Sequence, residues 1–391
     1  MINGTETSGA VRVEQLGVRI NGIGLRCAAG NQPFALFAAS AAGLSLASPD
    51  PVHEALSPDG TRQVPALTCP IAPDMDADPD TRLFELAALA LDDLLASNVA
   101  PDDAGEREIR LLLPPADSER GRRLEPDDWA NRLREAVGLP EAVSVKVVHA
   151  QESILDALRE AALRVRNREV AQMVFGAVDS LLDPLTVAEL QQARRLMPEQ
   201  GMGGIVPGEA AVFIELEADD GKGNPLALLD AIATAPEPDA ERVEEVAVAG
   251  LANAIAALDA NPNAIDCLVH GLAVEPARQL EWHHARNRLW PLRLDEAQRQ
   301  AMQAGELDAP QPETNTEPEM LDPAHTVGAT GIAEPLVGIA VACARFGFDW
   351  PRIDTALVVE TGQQPVRAAC RLRRAEKTEQ ATGMERRASA A

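Results

Sequence analysis

Hydrophobic residues between positions 143 and 217 form three runs, separated by a helical pattern and a turn. Ser144 to Ala150 is a β-branched run, and the segment from Glu152 to Arg166 carries Ile, Leu, Ala and Val at helical spacing. A second apolar run covers Gln172 to Phe175, and residues 204–217 turn into a third strand. This order predicts a βαβ crossover. The residues between its first strand and its helix then lie at a carboxyl edge of the sheet, where α/β proteins usually place their sites.

Similar patterns predict elements along the rest of the chain. We expect strands at residues 12–21, 109–113, 226–234, 264–269, 355–359 and 366–372. We expect helices at residues 81–95, 127–137, 240–258, 276–289 and 331–346. The uncharged run at residues 34–47 is too short to span a bilayer and predicts a buried helix. Residues 48–80 are rich in Pro and Asp, which predicts a long irregular connection.

Two changes in composition suggest how the chain is divided. A turn at residues 218–225 marks the predicted join between an N-terminal half, residues 1–225, and a C-terminal half, residues 226–372. The acidic, proline-containing segment at about 291–321 predicts a flexible insertion in the second half. Residues 373–391 are basic and predict a disordered tail.

Composition excludes several classes of function. The formal net charge of -26 argues against nucleic-acid binding, because phosphate neutralisation needs clustered Lys and Arg. The five cysteines are scattered, so they indicate neither disulfides nor zinc and favour a reducing cytoplasm. Residues 1–14 lack the apolar region of a signal peptide, and no membrane association is predicted. Gly22 and Gly24 do not complete a dinucleotide fingerprint because Cys27 replaces its third glycine, and no cofactor is expected.

Four short segments remain to be explained: Phe175–Ser180, Gly204–Ala211, Val269–Gly271 and Ala324–Gly331. They resemble signature turns of the β-ketoacyl synthases, the condensing enzymes of the thiolase fold. The resemblance extends from the opening strand to the closing strands. It implies a layered αβαβα thiolase-like fold built from two related halves. Because members of this family are usually homodimers, it also implies a homodimer.

The resemblance places three residues at the catalytic positions of the family. Counting back from Gly176 by the family's usual spacing places Gln151 where the nucleophilic cysteine stands. His270 and His325 match the two histidines that stabilise the enolate formed when a malonyl group loses carbon dioxide. An alternative interpretation is that both histidines are retained only for packing and hydrogen bonding.

The resemblance also assigns glycines and one acid to conserved turns of the family. Gly328 and Gly331 follow His325 and correspond to binding residues of the active-site turn. Gly176, Gly208 and Glu209 correspond to structural turns of the family. The resemblance implies that Glu209 hydrogen-bonds the backbone and so holds its turn in place.

Three departures from the family pattern weigh against condensation. A cysteine at a helix N-terminus is reactive because the helix dipole favours its thiolate, whereas Gln151 has no nucleophilic atom. The family's active-site lysine falls on Met320, and the glycine-rich gate that supplies an oxyanion-hole donor has become Val359–Pro365. We therefore expect a β-ketoacyl synthase-like protein without condensing activity, acting as a binding or assembly component. Its expected setting is a bacterial secretion, polyketide or fatty-acid gene cluster, with an acyl carrier protein or another protein as partner.

Two enzymatic alternatives stay open. Family members with Gln at the nucleophile position include malonyl-thioester decarboxylases, which would use His270 and His325. An acyltransferase would need a displaced nucleophile, and Cys267, three residues before His270, is the thiol near the predicted site. On a strand Cys267 points to the side opposite His270, which favours a place in the core.

Overall fold

The structure is a computed structural model, and the chain is described in eleven ranges. These are residues 10–71, 78–97, 106–151, 153–201, 203–243, 245–259, 261–271, 275–291, 296–305, 317–361 and 365–376. Glu152, part of the gate segment and most of the predicted tail therefore lie outside the described residues.

The helices and strands follow one another in chain order. The first set is β1 (Arg12–Cys27), α1 (Pro33–Ala41), β2 (Ser48–Leu56), β3 (Gln63–Thr68), α2 (Pro79–Ser97), β4 (Arg107–Leu113), α3 (Pro126–Val137), β5 (Ser144–His149), α4 (Ile154–Arg166), β6 (Gln172–Ser180), α5 (Pro184–Gln192) and β7 (Glu209–Ala218). The second set is β8 (Ala227–Pro236), α6 (Gly250–Leu258), β9 (Cys267–Val269), α7 (Pro276–Leu289), α8 (Glu296–Gln303), β10 (Glu319–Leu321), α9 (Pro323–Val327), α10 (Glu334–Phe346), β11 (Thr355–Glu360) and β12 (Val366–Arg373).

Ten strands form one mixed sheet whose two ends have the same topology. The order is β10-β9-β11-β12-β8-β1-β7-β6-β4-β5. The five strands at each end of this sheet can be numbered 1 to 5 in chain order, leaving out β2 and β3. From the edge of the sheet to its centre, both groups then have the order 3-2-4-5-1. Their parallel and antiparallel pairings also correspond. The crossover helices α4 and α10 occupy equivalent places, between the third and fourth strands of each set. The described chain is therefore built from two related halves.

The long strand β1 joins the two halves. Its residues Val18–Cys27 pair with β7, and Arg12–Ile20 pair with β8, both antiparallel. Register shifts between Ile20 and Gly22 and between Gln15 and Val18 interrupt the two ladders. The strands of the two halves are thereby joined edge to edge through β1 and β8.

Helices lie in three layers around the two halves of the sheet. The outer face of the first half packs against α2 and α3, and that of the second half packs against α6 and α7. Between them, α4 contacts strands of both halves, as does α10. The largest hydrophobic cluster fills this middle layer, with most of its side chains completely buried. The predicted αβαβα arrangement is confirmed.

Local sequence explains the crossover helix α4. Its buried side chains include Ile154, Leu158, Ala161 and Val165, which recur at helical spacing on the face turned to the sheet. Ser153 is its N-cap, and the hydroxyl oxygen accepts a hydrogen bond from the Asp156 amide at 3.1 Å. The helix therefore begins where the sequence predicts, directly after β5.

Three sequence predictions need correction, and one helix was missed. Residues 48–80 are not wholly irregular, because β2 and β3 form an antiparallel pair there. The helix predicted at 240–258 is interrupted: only a 3₁₀ turn, Ala240–Arg242, and the later helix α6 form there. Helix α1 was expected to be buried, but it buries only Leu36 and Phe37. Helix α5 was not predicted.

The predicted insertion and tail are also ordered in part. The segment at about 291–321 contains α8 and the edge strand β10, which pairs parallel with β9, so it is not simply a flexible insertion. Residues 292–295 and 306–316 lie outside the described residues. Arg373 ends β12, and Arg374 pairs with Asp349 at 2.7 Å. The beginning of the predicted disordered tail is therefore part of the fold.

Candidate functional site

The loop between β5 and α4 opens into a small cavity. Gln151 is exposed and lines this cavity, whose volume is about 170 Å³. The charged residues in its wall are Arg120, Arg278, Glu334 and Glu360. Gly331 also lines it, and a neighbouring cavity of about 400 Å³ shares Arg120, Arg278, Gly331 and Glu334. The predicted nucleophile position thus faces a polar cleft lined by both signs of charge.

Glu360 occupies the N-terminal end of α4. Its carboxylate accepts hydrogen bonds from the Ser153 hydroxyl at 2.6 Å, the Ile154 amide at 2.8 Å and the Leu155 amide at 2.9 Å. A carboxylate is favoured there by the helix dipole and by amides that have no partner within the helix. Burial nevertheless raises the pKa of Glu360, against the lowering effect of these hydrogen bonds.

Asp179, near the end of β6, occupies the corresponding position before α10. It is completely buried, and Arg120 binds both carboxylate oxygens, at 2.6 and 2.9 Å. The Ile332 amide donates to the same carboxylate at 2.9 Å. Gly331 has φ +58°, and a Cβ atom there would lie 2.0 Å from Asp179 Oδ2. Only glycine allows this turn to approach the carboxylate so closely.

Glu334 and Arg278 form the ion pair on the other side of the cavity. Arg278 Nη1 lies 2.9 Å from Glu334 Oε1, and it also donates to the Gly271 carbonyl at 2.9 Å. Burial raises the pKa of Glu334 to about 7, although Arg278 opposes the shift. This carboxyl group therefore changes its protonation state near neutral pH.

The two predicted catalytic histidines do not line the cavity that contains Gln151. His270 follows β9, is 9% exposed, and stacks on Trp282 with ring centroids 5.8 Å apart. Burial lowers its pKa, and Asp322 Oδ2 lies 3.8 Å from Nδ1, which has no hydrogen-bond partner. His325 is exposed on α9, and its backbone amide donates to Asp322 Oδ1 at 3.2 Å.

The predicted turn glycines bring two backbone segments together. A Cβ atom on Gly208 would lie 2.3 Å from the Val327 carbonyl oxygen, and one on Gly328 would lie 2.8 Å from the Val206 carbonyl oxygen. Bonds from the Gly208 and Ala329 amides link the same turns, at 3.0 and 2.8 Å. Side chains at either glycine would separate the turns.

Glu209 begins β7, directly after this contact, whereas Gly176 lies in the middle of β6. Glu209 is completely buried and accepts hydrogen bonds from Arg82, the Ile71 amide and the Ser180 hydroxyl. Gly176 leaves room for the ring of Phe213, which an added Cβ would approach to 2.3 Å. Neither residue lines the cavity around Gln151.

Solved structures with a similar arrangement include ketosynthases. The ishigamide ketosynthase/chain length factor is 18% identical, with 92% of this chain and 100% of that chain covered at a TM-score of 0.60. The AntDE:AntF complex, a type II polyketide synthase acyl-carrier protein with its ketosynthase, is 14% identical over 92% and 100%, with a TM-score of 0.66. The module 6 ketosynthase of the Bacillus subtilis 168 bacillaene synthase is 13% identical over 92% and 72%, with a TM-score of 0.62. The chain has the thiolase-like ketosynthase fold.

No protein-family model and no curated protein sequence matches this ketosynthase-like chain. No helix within the described residues is both long and apolar enough to cross a membrane. The same part of the chain holds no group of three or more His, Cys, Asp and Glu side chains suited to a metal ion.

The cysteines of the ketosynthase-like chain are all buried and free. Burial raises the pKa of Cys27, Cys69 and Cys370 to about 12, and it also raises the pKa of Cys267 and Cys343. Cys267 is completely buried on β9. Burial thus disfavours the thiolate form of each cysteine, which is the form that attacks as a nucleophile.

Other residues singled out by the family pattern have structural partners. Glu281 lies eleven residues after His270, where the family motif that resembles Val269–Gly271 also has an acid; it is 3% exposed and forms an ion pair with Arg367. Met320 lies on β10 and packs against the outer cluster of the second half. Sequence reasoning missed Arg120, Asp179, Arg278, Glu334 and Glu360. The one available signal was that Glu360 follows a buried strand in the altered gate, at the edge where sites form.

Proposed function

We propose that this ketosynthase-like chain is a non-condensing component that binds or assembles with other proteins. The carboxylate of Glu360 on the N-terminal end of α4 carries the proposal. In a condensing enzyme of this fold the same helix end would favour a thiolate, but here its amides and hydroxyl already serve an internal anion. A negative charge at this point also disfavours a second one nearby.

The surrounding residues support the same conclusion. Gln151 supplies no nucleophile, and the five thiols are buried elsewhere. A decarboxylase would need imidazole groups beside the bound thioester, whereas His270 and His325 do not line the cavity with Gln151. The geometry therefore favours a binding component over the decarboxylase or the acyltransferase.

We also propose protein partners for the chain. A neighbour in fold is a ketosynthase in complex with an acyl-carrier protein, which makes a carrier a reasonable candidate. For the homodimer, β5 is one of the two edge strands of the ten-stranded sheet, and Val148 on it is 43% exposed. An uncovered edge strand is suited to pairing with another copy. The free thiols fit a reducing compartment such as the cytoplasm.

A direct assay tests the lack of condensation. The purified protein is incubated with malonyl and acyl thioesters, followed by intact-mass spectrometry for an acyl-enzyme and by measurement of carbon dioxide release. We expect neither product. Carbon dioxide release that disappears in His325→Ala would instead establish the decarboxylase. An acyl adduct that disappears in Cys267→Ala would establish the acyltransferase.

A further inference from the structure

Helix α1 leaves an apolar surface uncovered. We define the α1 surface by Phe34, Ala38, Ala42, Leu44 and Phe348, together with Trp350, which follows Phe348 by two residues in the chain. Phe34 and Leu44 are 56% and 54% exposed, and both alanines are also exposed. The stretch from Cys27 to Pro49, which contains α1, has no charged residue. This surface does not overlap the cavity around Gln151.

Aromatic side chains are concentrated on the α1 surface. The chain has only seven Phe and four Trp, and no Tyr. Among the described residues, the exposed large aromatic side chains are Phe34, Phe348 and Trp350, the last 84% exposed. The buried ring of Phe37 connects two of them, with centroids 5.9 Å from Phe34 and 6.1 Å from Phe348. Exposed aromatic residues gathered in one place are typical of the central part of a protein interface.

Charges beside the α1 surface are paired with one another. Asp349 lies 2.7 Å from Arg374, and Arg352 lies 3.0 Å from Asp354. The surface is therefore locally neutral on a chain whose formal net charge is -26. Two copies of such an acidic chain repel each other over most of their surfaces, and so do this chain and an anionic membrane. A neutral apolar area is where two copies meet with the least repulsion.

We propose that the α1 surface binds the same surface of a second copy, with the two α1 helices antiparallel. A symmetric contact must be self-complementary. The exposed face of α1 has a large side chain, Phe34, near its start, and the small C-cap residue Ala42 follows its end, about 12 Å away at 1.5 Å per residue. Antiparallel pairing sets each Phe34 over Ala42 of the partner. Ala38, midway between them, then lies on the two-fold axis.

The proposal is separate from the function proposed for the cavity and from pairing along β5. Two different symmetric contacts on one chain give assemblies larger than a dimer. The α1 contact would therefore join copies already paired along β5, or would form dimers if β5 does not pair.

Cysteine cross-linking tests the position of the two-fold axis. The native thiols are buried, so an Ala38→Cys thiol is the accessible one among the described residues. Under mild oxidation of the full chain we expect an intermolecular disulfide in Ala38→Cys. Leu185→Cys, at a residue that is 48% exposed on α5, is the matched control and should stay monomeric on a non-reducing gel. Adding Val148→Lys, which disrupts the β5 edge, should leave the Ala38 cross-link intact.

Sedimentation and fluorescence test the same contact without a cross-link. Phe34→Asp should lower the association constant at least about tenfold, since it places two charges in an apolar contact, whereas Leu185→Asp should not change it. Acrylamide quenching of Trp350, identified by comparison with Trp350→Phe, should decrease as protein concentration rises. The proposal is overturned if Ala38→Cys does not cross-link beyond the control. It is also overturned if Phe34→Asp leaves self-association unchanged but abolishes binding to neutral phosphatidylcholine vesicles.

Discussion

The two crossover helices, α4 and α10, are equivalent in topology but differ in how their N-terminal ends are neutralised. Each end receives a carboxylate from the fourth strand of the other half. Asp179 of β6 bonds the turn before α10, and Glu360 of β11 bonds α4. Asp179 is also bound by Arg120 through two hydrogen bonds, whereas no cationic side chain within the described residues pairs with Glu360.

Both ends line the same cavity, but they hold their carboxylates in different ways. The Asp179 carboxylate is fixed in place by a fully formed ion pair. Glu360 depends on one hydroxyl and two amides, and burial raises its pKa. The carboxylate at the N-terminal end of α4, next to the predicted nucleophile position, is therefore held without an ion pair. The two halves differ in this respect although they share one topology.

The largest effect is expected at the fully paired end. Arg120→Ala leaves the buried Asp179 carboxylate without its cation, and we expect the free energy of unfolding to fall by about 3 kcal/mol. Urea denaturation measures the loss. Arg122→Ala is the control, since its pair with Glu119 is exposed and should contribute about 0.5 kcal/mol or less. Equal losses in the two variants would show that Asp179 does not need Arg120.

A pH titration tests the cavity side of α10. The folded pKa of Glu334, about 7, lies above its ordinary value of 4.5. Between these values the native state binds more protons than the unfolded state, so stability due to this group falls as pH rises through the window. Relative to Glu334→Gln, the wild type should lose up to about 1 kcal/mol per pH unit between pH 4.5 and 7. Parallel stability profiles of the two proteins would contradict the shifted pKa.

The smallest effect is expected for the reactivity of a thiol introduced at position 151, beside the N-terminal end of α4. A thiol introduced by Gln151→Cys shares the cavity with the Glu360 carboxylate, which disfavours the thiolate. Adding Glu360→Gln should raise the rate of alkylation by iodoacetamide at pH 7 about tenfold. The wild type, with its buried cysteines, gives the background rate. The same rate with and without the Glu360 carboxylate would mean that its charge does not act on this position.

Local pattern was sufficient to predict the βαβ unit around α4. Its strands are apolar runs and its helix has a regular buried face, so each segment specifies its own structure. The family resemblance supplied the layered fold. The β2–β3 pair was missed because its strands are largely exposed and contain prolines, which are signals of a loop. The three-residue strand β10 is too short for any pattern and depends on its parallel neighbour β9.

The cavity was less predictable because its chemistry comes from contacts between distant parts of the chain. Glu360 and Ser153 are 207 positions apart, and nothing near either residue indicates the other. The exposure of α1 was missed for a related reason. An apolar run shows that a helix can be buried, but only the assembled structure shows whether another layer covers it.

The exchange of carboxylates between halves affects how the molecule comes apart. If the chain were cut in the turn between β7 and β8, each fragment would keep its five strands but would lose the acid that completes its own central helix. It would also expose the long edge at which β1 and β8 meet. We therefore expect the two halves to unfold together as one cooperative unit.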